Sequence, residues 1–264
     1  MRRTRSAAFV FTAVLAIGAG TYAGASSSPP LPGRLVPTFG VDFSPKQMPR
    51  NKYTPVSAKL LGQITTADGT HPPALREALV DVDKHLKVNV KDLPVCRAAQ
   101  LEGLDTKAAL RICGDAAVGS GIGYFQIAFP EQKPPIVDPP ITVFNGGERA
   151  GKVKLLIHTI TRVPKPAPIV TVATIERKGA GLHSVVRIPV VASGAASLID
   201  FKFNLGRTYT HKGKKVGLLE ARCPDGKFVV GVPKLLFRNE AEVPNVPAAT
   251  ILKGALVVPC TPKG

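Results

Sequence analysis

Hydrophobic side chains recur at every second position through much of this chain, and that period leaves little room for anything but β-structure. Ile199, Phe201, Phe203 and Leu205 alternate strictly with Asp200, Lys202 and Asn204, which puts one set on a buried face and the other toward water. Phe39, Val41 and Phe43 repeat the pattern, as do Val80, Val82, Leu86, Val88 and Val90. In the last series Lys84 breaks the parity, so Asp83-Lys84-His85 reads as a bend between two short strands. Further strand segments fall at 56–64, 124–129, 141–144, 153–160, 169–175, 185–191, 216–222, 228–232 and 252–258. Turn signals punctuate them: Ala67-Asp68-Gly69-Thr70, Lys178-Gly179-Ala180-Gly181 and Pro224-Asp225-Gly226. Asn145-Gly146-Gly147 reads as the loop of a hairpin between 141–144 and 153–160, and Pro224-Asp225-Gly226 as a hairpin-type turn into 228–232. Roughly ten short strands with frequent turns predict an all-β chain, a jelly-roll-like β-sandwich. A chain of this length buries a large core without depending on covalent staples.

One short helix interrupts the pattern. Asp105 precedes Thr106-Lys107-Ala108-Ala109-Leu110-Arg111-Ile112-Cys113 and is placed to cap its first free N–H groups. Ala109, Ile112, Cys113 and Ala116 follow i, i+3, i+4, i+7 spacing, which predicts one buried stripe. Gly119, Gly121 and Gly123 come next. A dinucleotide loop runs strand, glycines, helix, and the order here is helix, glycines, strand. The glycines are therefore expected to end the helix and admit the chain to the strand in which Phe125, Ile127 and Phe129 share a face.

The N-terminus carries Arg2, Arg3 and Arg5, then an uncharged apolar run from Ala7 to Gly20, then Ala23-Gly24-Ala25. This is the build of a secretory signal peptide over residues 1–25, cleaved after Ala23 or Ala25. The run is shorter than the ~20 residues a membrane span needs, so no transmembrane segment is expected in the mature chain. Residues 26–36 are a Ser/Pro/Gly-rich lead-in. The β-domain is assigned to 37–264, with a possible subdivision at the proline-rich connector 130–140.

Four cysteines in an exported chain imply two disulfides and three possible connectivities. Cys96–Cys113 and Cys223–Cys260 are the local pairs and tie neighbouring elements. No Cys-x-x-Cys occurs and no His stands at ligand spacing from a Cys, which argues against zinc or a redox dithiol.

Charge narrows the partners. The formal net charge is +17 at pH 7, and loss of the three leader arginines leaves +14. That surplus favours acidic partners, nucleic acid, anionic lipid or acidic cell-wall polymer, and the expected partner is an acidic cell-wall polymer or another envelope protein. Nucleic acid is disfavoured, because aromatics are only 6% and Trp is absent, whereas single-strand readers stack bases on aromatic rings. The densest basic run, His211-Lys212-Gly213-Lys214-Lys215, reads as a loop tip between strands, so Lys212, Lys214 and Lys215 are the candidate polymer-binding residues.

Catalytic signatures are not visible, and no catalytic residue, metal ligand or cofactor is assigned. The five histidines, His71, His85, His158, His183 and His211, are scattered. His158 lies in an apolar strand, which suits a buried, hydrogen-bonded ring better than a general base. Asp81, Asp83 and His85 have ligand chemistry, but residues two apart on a strand stand about 6.6 Å apart, so a solvated face is the expected reading. Glu148, Glu176, Asp200 and Glu220 are the strand-region acids from which a glycosidase pair would have to come.

The segments FSPKQMPRNKYTPV, LPVC, RICGDAAVGSG and RCPDGKF, with a final Cys260, resemble a family of secreted β-rich proteins from high-GC Gram-positive (actinobacterial) soil bacteria. The resemblance implies export and a β-rich fold and carries over no catalytic residues. The expectation for function is a secreted, non-enzymatic binding or structural protein of the cell envelope. The alternative is an extracellular glycan hydrolase with a carboxylate pair in a sandwich groove.

Overall fold

In a computed structural model of the chain, the residues described are 34–128, 133–162, 165–238, 249–250 and 255–263. The leader at 1–25, most of the lead-in, Phe129 and the start of the 130–140 connector lie outside them. So does 251–254, within the last expected strand.

The chain is all-β with one short α-helix, as the alternation predicts. The N-terminal third holds β1 (Leu35–Ser44), β2 (Gln47–Pro49), β3 (Thr54–Thr66), β4 (Leu75–Val82) and β5 (Leu86–Val88). The helix α1 (Thr106–Cys113) follows. Then come β6 (Ala117–Ile127), β7 (Ile136–Val137), β8 (Pro140–Arg149), β9 (Lys152–Thr161), β10 (Ala167–Lys178) and β11 (Gly181–Arg187). The last third carries β12 (Ala196–Leu205), β13 (Thr208–His211), β14 (Lys214–Gly217), β15 (Leu219–Ala221) and β16 (Lys227–Phe237). It finishes with β17 (Ala249–Thr250), β18 (Ala255–Pro259) and β19 (Thr261–Lys263).

Antiparallel ladders run unbroken through β1–β3–β12–β6–β8–β9–β10–β11–β4–β16–β18. β6 on one side of the proline-rich connector pairs with β8 on the other. The sheet curls until β1 lies against β18. Phe43 on β1 and Phe228 on β16 meet edge to face, with ring centroids 5.2 Å apart. One core fills the inside, drawing Val56 and Ala58 from β3, Val143 from β8, Leu155 from β9 and Val258 from β18.

α1 covers the outer face of β8 and β9. Phe144 and Leu156 pack under it with Leu101, Ala109 and Ala116, while Val143 and Leu155 face the main core. β8 is thus buried on both faces, which is why it reads Ile-Thr-Val-Phe instead of alternating. Asp105 caps the helix, its Oδ1 accepting from the Ala108 N–H at 2.7 Å. The expected buried stripe is narrower than the spacing suggests. Ala109 and Cys113 are buried, but Ile112 is 56% exposed, because only the Cys113 side faces β8 and β9.

Cys96 is bonded to Cys113 and Cys223 to Cys260. Asn145 fastens the first of these loops. Fully buried, it donates from Nδ2 to the Pro94 carbonyl at 2.9 Å, and its own carbonyl accepts from the Cys96 N–H at 2.9 Å.

Three expectations about turns and glycines need correction. β8 and β9 do form a hairpin, but its turn is Ala150-Gly151, both with positive φ. The Asn145–Gly147 stretch is a register shift within β8, set by the buried Asn145. Pro224-Asp225-Gly226 is not a hairpin turn, because β15 pairs with β3 and β5 while β16 pairs with β4, β17 and β18. It carries the chain from one region of the sheet to another. Gly119 and Gly121 do not end the helix; they lie inside β6. A Cβ at Gly121 would overlap the Lys202 carbonyl and Phe203 of β12, so these glycines permit a close approach of two backbones.

Candidate functional site

The basic run 211–215 folds into a separate two-stranded piece, β13 paired with β14. His211 and Lys214 are partners in the ladder, leaving the two-residue loop Lys212-Gly213. Lys212 has φ 48° and Gly213 φ 73°, the conformation that matches strand twist in a two-residue hairpin. Lys212, Lys214 and Lys215 are all exposed. The base is held rather than free. Tyr209 donates from its hydroxyl to the Asn89 carbonyl at 3.3 Å, and His211 Nδ1 pairs with the Asp92 carboxylate. Partial burial pushes the Tyr209 phenol up, helped by the negative charges of Glu220 and Asp92.

The positive surface continues beyond the tip. Lys91 is exposed in the segment that holds the hairpin base. On β5, Lys87 sets its ammonium 3.7 Å from the Tyr53 ring centroid, and the Arg222 guanidinium lies 5.3 Å from the same ring. The π face of an aromatic ring attracts a cation, so Tyr53 holds both positive groups in place.

The acids and histidines are distributed otherwise than the alternation implies. Asp81 is exposed as expected and pairs with His183 Nδ1 at 2.6 Å across β4 and β11. Asp83 and His85 do not join it on a solvated face. The chain bends there, Asp83 Oδ1 accepts the His85 N–H at 2.8 Å, and Oδ2 accepts the Val229 N–H at 3.0 Å. His85 is buried, 6% exposed, with Nδ1 3.0 Å from Asp83. Asp81 and Asp83 do line one cavity of about 470 Å³, floored by Val229, Gly231 and Ala255. Among the described residues no group of three or more His, Cys, Asp or Glu is arranged to hold a metal ion.

The four acids considered for a glycosidase lie on four strands, β8, β10, β12 and β15, and none is the ladder partner of another. Glu176 is held below the usual carboxylate range by Lys152, 2.7 Å away. Burial raises Asp200. His158 is fully buried, its Nε2 3.0 Å from the Leu104 carbonyl. Burial lowers its affinity for a proton, against the opposing pull of that carbonyl and of Asp105.

One constellation escaped the sequence. His71 Nε2 lies 3.1 Å from Ser197 Oγ, and His71 Nδ1 lies 3.2 Å from Gln126 Oε1. Ser197 and Gln126 are ladder partners on β12 and β6, and His71 descends on them from the β3–β4 loop. The outline is that of a Ser-His-Gln relay, but the hydroxyl gives its proton to the Pro72 carbonyl at 2.5 Å, and Ser197 is 1% exposed. A nucleophile needs a base for its proton and a path for its substrate. Here both are taken up by the loop, and the three side chains act as a clip that holds residues 71–74 on the sheet. Partners 55 and 126 positions apart leave no local motif to find.

No known protein family, curated protein or solved structure matches the chain.

The site with the strongest physical definition is therefore the hairpin of β13 and β14 with its basic surroundings. It can offer several ammonium groups to an extended anion, and its anchored base keeps them in one place.

Proposed function

We propose that this chain is an exported, non-enzymatic protein that binds acidic polymer at the cell envelope, with Lys212, Lys214 and Lys215 as the principal contacts. The observation that carries the reading is the anchored hairpin, which presents three exposed lysines on a chain with a net charge of +17. Export through the leader, and kinship with secreted actinobacterial proteins, belong to the same proposal. Two disulfides agree with an oxidising compartment. Among the described residues no helix is long and apolar enough to cross a membrane.

Recognition of this kind is dominated by Coulomb attraction between exposed charges, so it weakens as salt shortens the Debye length from ~10 Å at 0.1 M toward ~3 Å at 1 M. Co-sedimentation of the oxidised protein with purified acidic wall polymer tests it. Binding that falls steeply with salt supports the proposal, and absence of binding at low salt overturns it.

The glycan-hydrolase alternative draws on one observation, the cavity shared by Asp81 and Asp83. Asp81 is paired with His183 and Asp83 accepts two backbone N–H groups. Both carboxylates are thereby tied to structural partners, and the binding reading is preferred.

A further inference from the structure

A second groove lies away from the hairpin, between α1 and the chain from Ile136 to Pro140, with a volume of about 1020 Å³. Its size is that of a small-molecule site, and its lining has two characters. Leu110, Ile136 and Ile160 supply apolar surface, and two of them are unusually bare: Leu110 is 43% exposed and Ile136 59%. Lys107, Arg111 and Arg162 supply positive charge at the rim.

The helix explains how the two come together. Lys107, Leu110 and Arg111 stand at i, i+3 and i+4, so they share one face. The opposite stripe, Ala109 and Cys113, is buried against Phe144 and Leu156. That division leaves an amphipathic helix face turned toward the groove and away from the core.

Two acids, Asp105 and Asp138, also line the groove. Asp105 also caps α1 through the Ala108 N–H, and the three cations outnumber the two acids. Thr106 lines the groove at the first turn of α1.

We propose that this groove binds a single-chain anionic amphiphile, its acyl chain lying along Leu110, Ile136 and Ile160 and its acidic head group facing Lys107, Arg111 and Arg162. The site is independent of the basic hairpin, since the two share no residue.

Titration of the oxidised protein with cis-parinaric acid, a fluorescent fatty acid, tests the proposal. The expected result is saturable enhancement at one probe per chain, weakened at least tenfold in Leu110→Asp and in Arg162→Glu. Both residues are exposed, and thermal unfolding checks that each variant remains folded. The methyl ester of the probe, which lacks the head-group charge, is expected to bind at least tenfold more weakly. A variant with Lys212, Lys214 and Lys215 all changed to Ala is expected to bind the probe as the parent does. No saturable binding overturns the proposal, as does parent-like affinity in a folded Leu110→Asp variant. Equal affinity for acid and ester overturns the head-group assignment, and loss of binding in the triple lysine variant moves the site to the hairpin.

Discussion

Phe43 and Phe228 pack edge to face, 5.2 Å between ring centroids, although their strands lie near opposite ends of the hydrogen-bonded order. Among the described residues no ladder joins β1 to β18, so side-chain packing closes the curled sheet there, next to the short parallel ladder of β2 and β19. Both rings are buried, Phe43 at 3% and Phe228 at 0% exposure. Aromatic pairs couple by ~0.5–1.5 kcal/mol beyond their area. A double-mutant cycle of Phe43→Leu and Phe228→Leu, measured by urea denaturation, is expected to give a coupling in that range. Strict additivity would mean that the two ends do not depend on one another.

Gly121 in β6 and Gly114 at the end of α1 separate a steric requirement from a conformational one. Gly121→Ala forces a methyl group into the Lys202 carbonyl and Phe203, and is expected to destabilise by ~2 kcal/mol or more. Gly114 has an ordinary helical φ of −57°, and a methyl group added there would meet nothing within 4 Å. Gly114→Ala is therefore expected to be neutral or to stabilise by ~0.4–1 kcal/mol through the unfolded chain. Comparing the two midpoints in urea checks the pair.

Those glycines also show where sequence stops being informative. Alternation locates β1, β3, β4 and β12, because each buries one face and the period is local. The bend at Asp83–His85 and the cap at Asp105 are likewise local. The partner of a glycine is not. Helix-then-glycine is locally indistinguishable from a helix stop, and only the position of β12 shows that Gly119 and Gly121 are strand residues in close contact. The hairpin tip at Lys212 was legible because its chemistry is contiguous. The Ser197, His71 and Gln126 clip was not, because the sheet order brings it together.

That clip is expected to matter for stability. Ser197→Ala removes the hydrogen bond to Pro72 and leaves that carbonyl unpaired, at a cost of ~1–3 kcal/mol. Limited proteolysis should then cut faster within 67–74, while Ser197→Thr, which keeps the hydroxyl, should restore part of the protection. Unchanged cleavage and stability would contradict the assignment.

His158 makes stability depend on pH. Burial lowers its folded-state pKa below the unfolded value of ~6.5. Between those two values the unfolded chain binds the proton that the folded chain excludes. The contribution is present above ~6.5 and lost as pH falls toward the folded value. Urea midpoints between pH 7.5 and pH 5 are expected to fall for the parent, and to fall less for His158→Gln. Equal slopes would show that His158 does not titrate on unfolding.

The most direct test of the binding reading compares the parent with the variant carrying Lys212→Ala, Lys214→Ala and Lys215→Ala in co-sedimentation with acidic wall polymer across a salt series. The expected result is strong low-salt binding by the parent that disappears as salt rises, with weaker binding and a shallower salt slope for the variant, each lost ion contact removing part of that slope. Parent binding that is indifferent to salt, or a variant that binds as the parent does, would contradict electrostatic recognition through the hairpin.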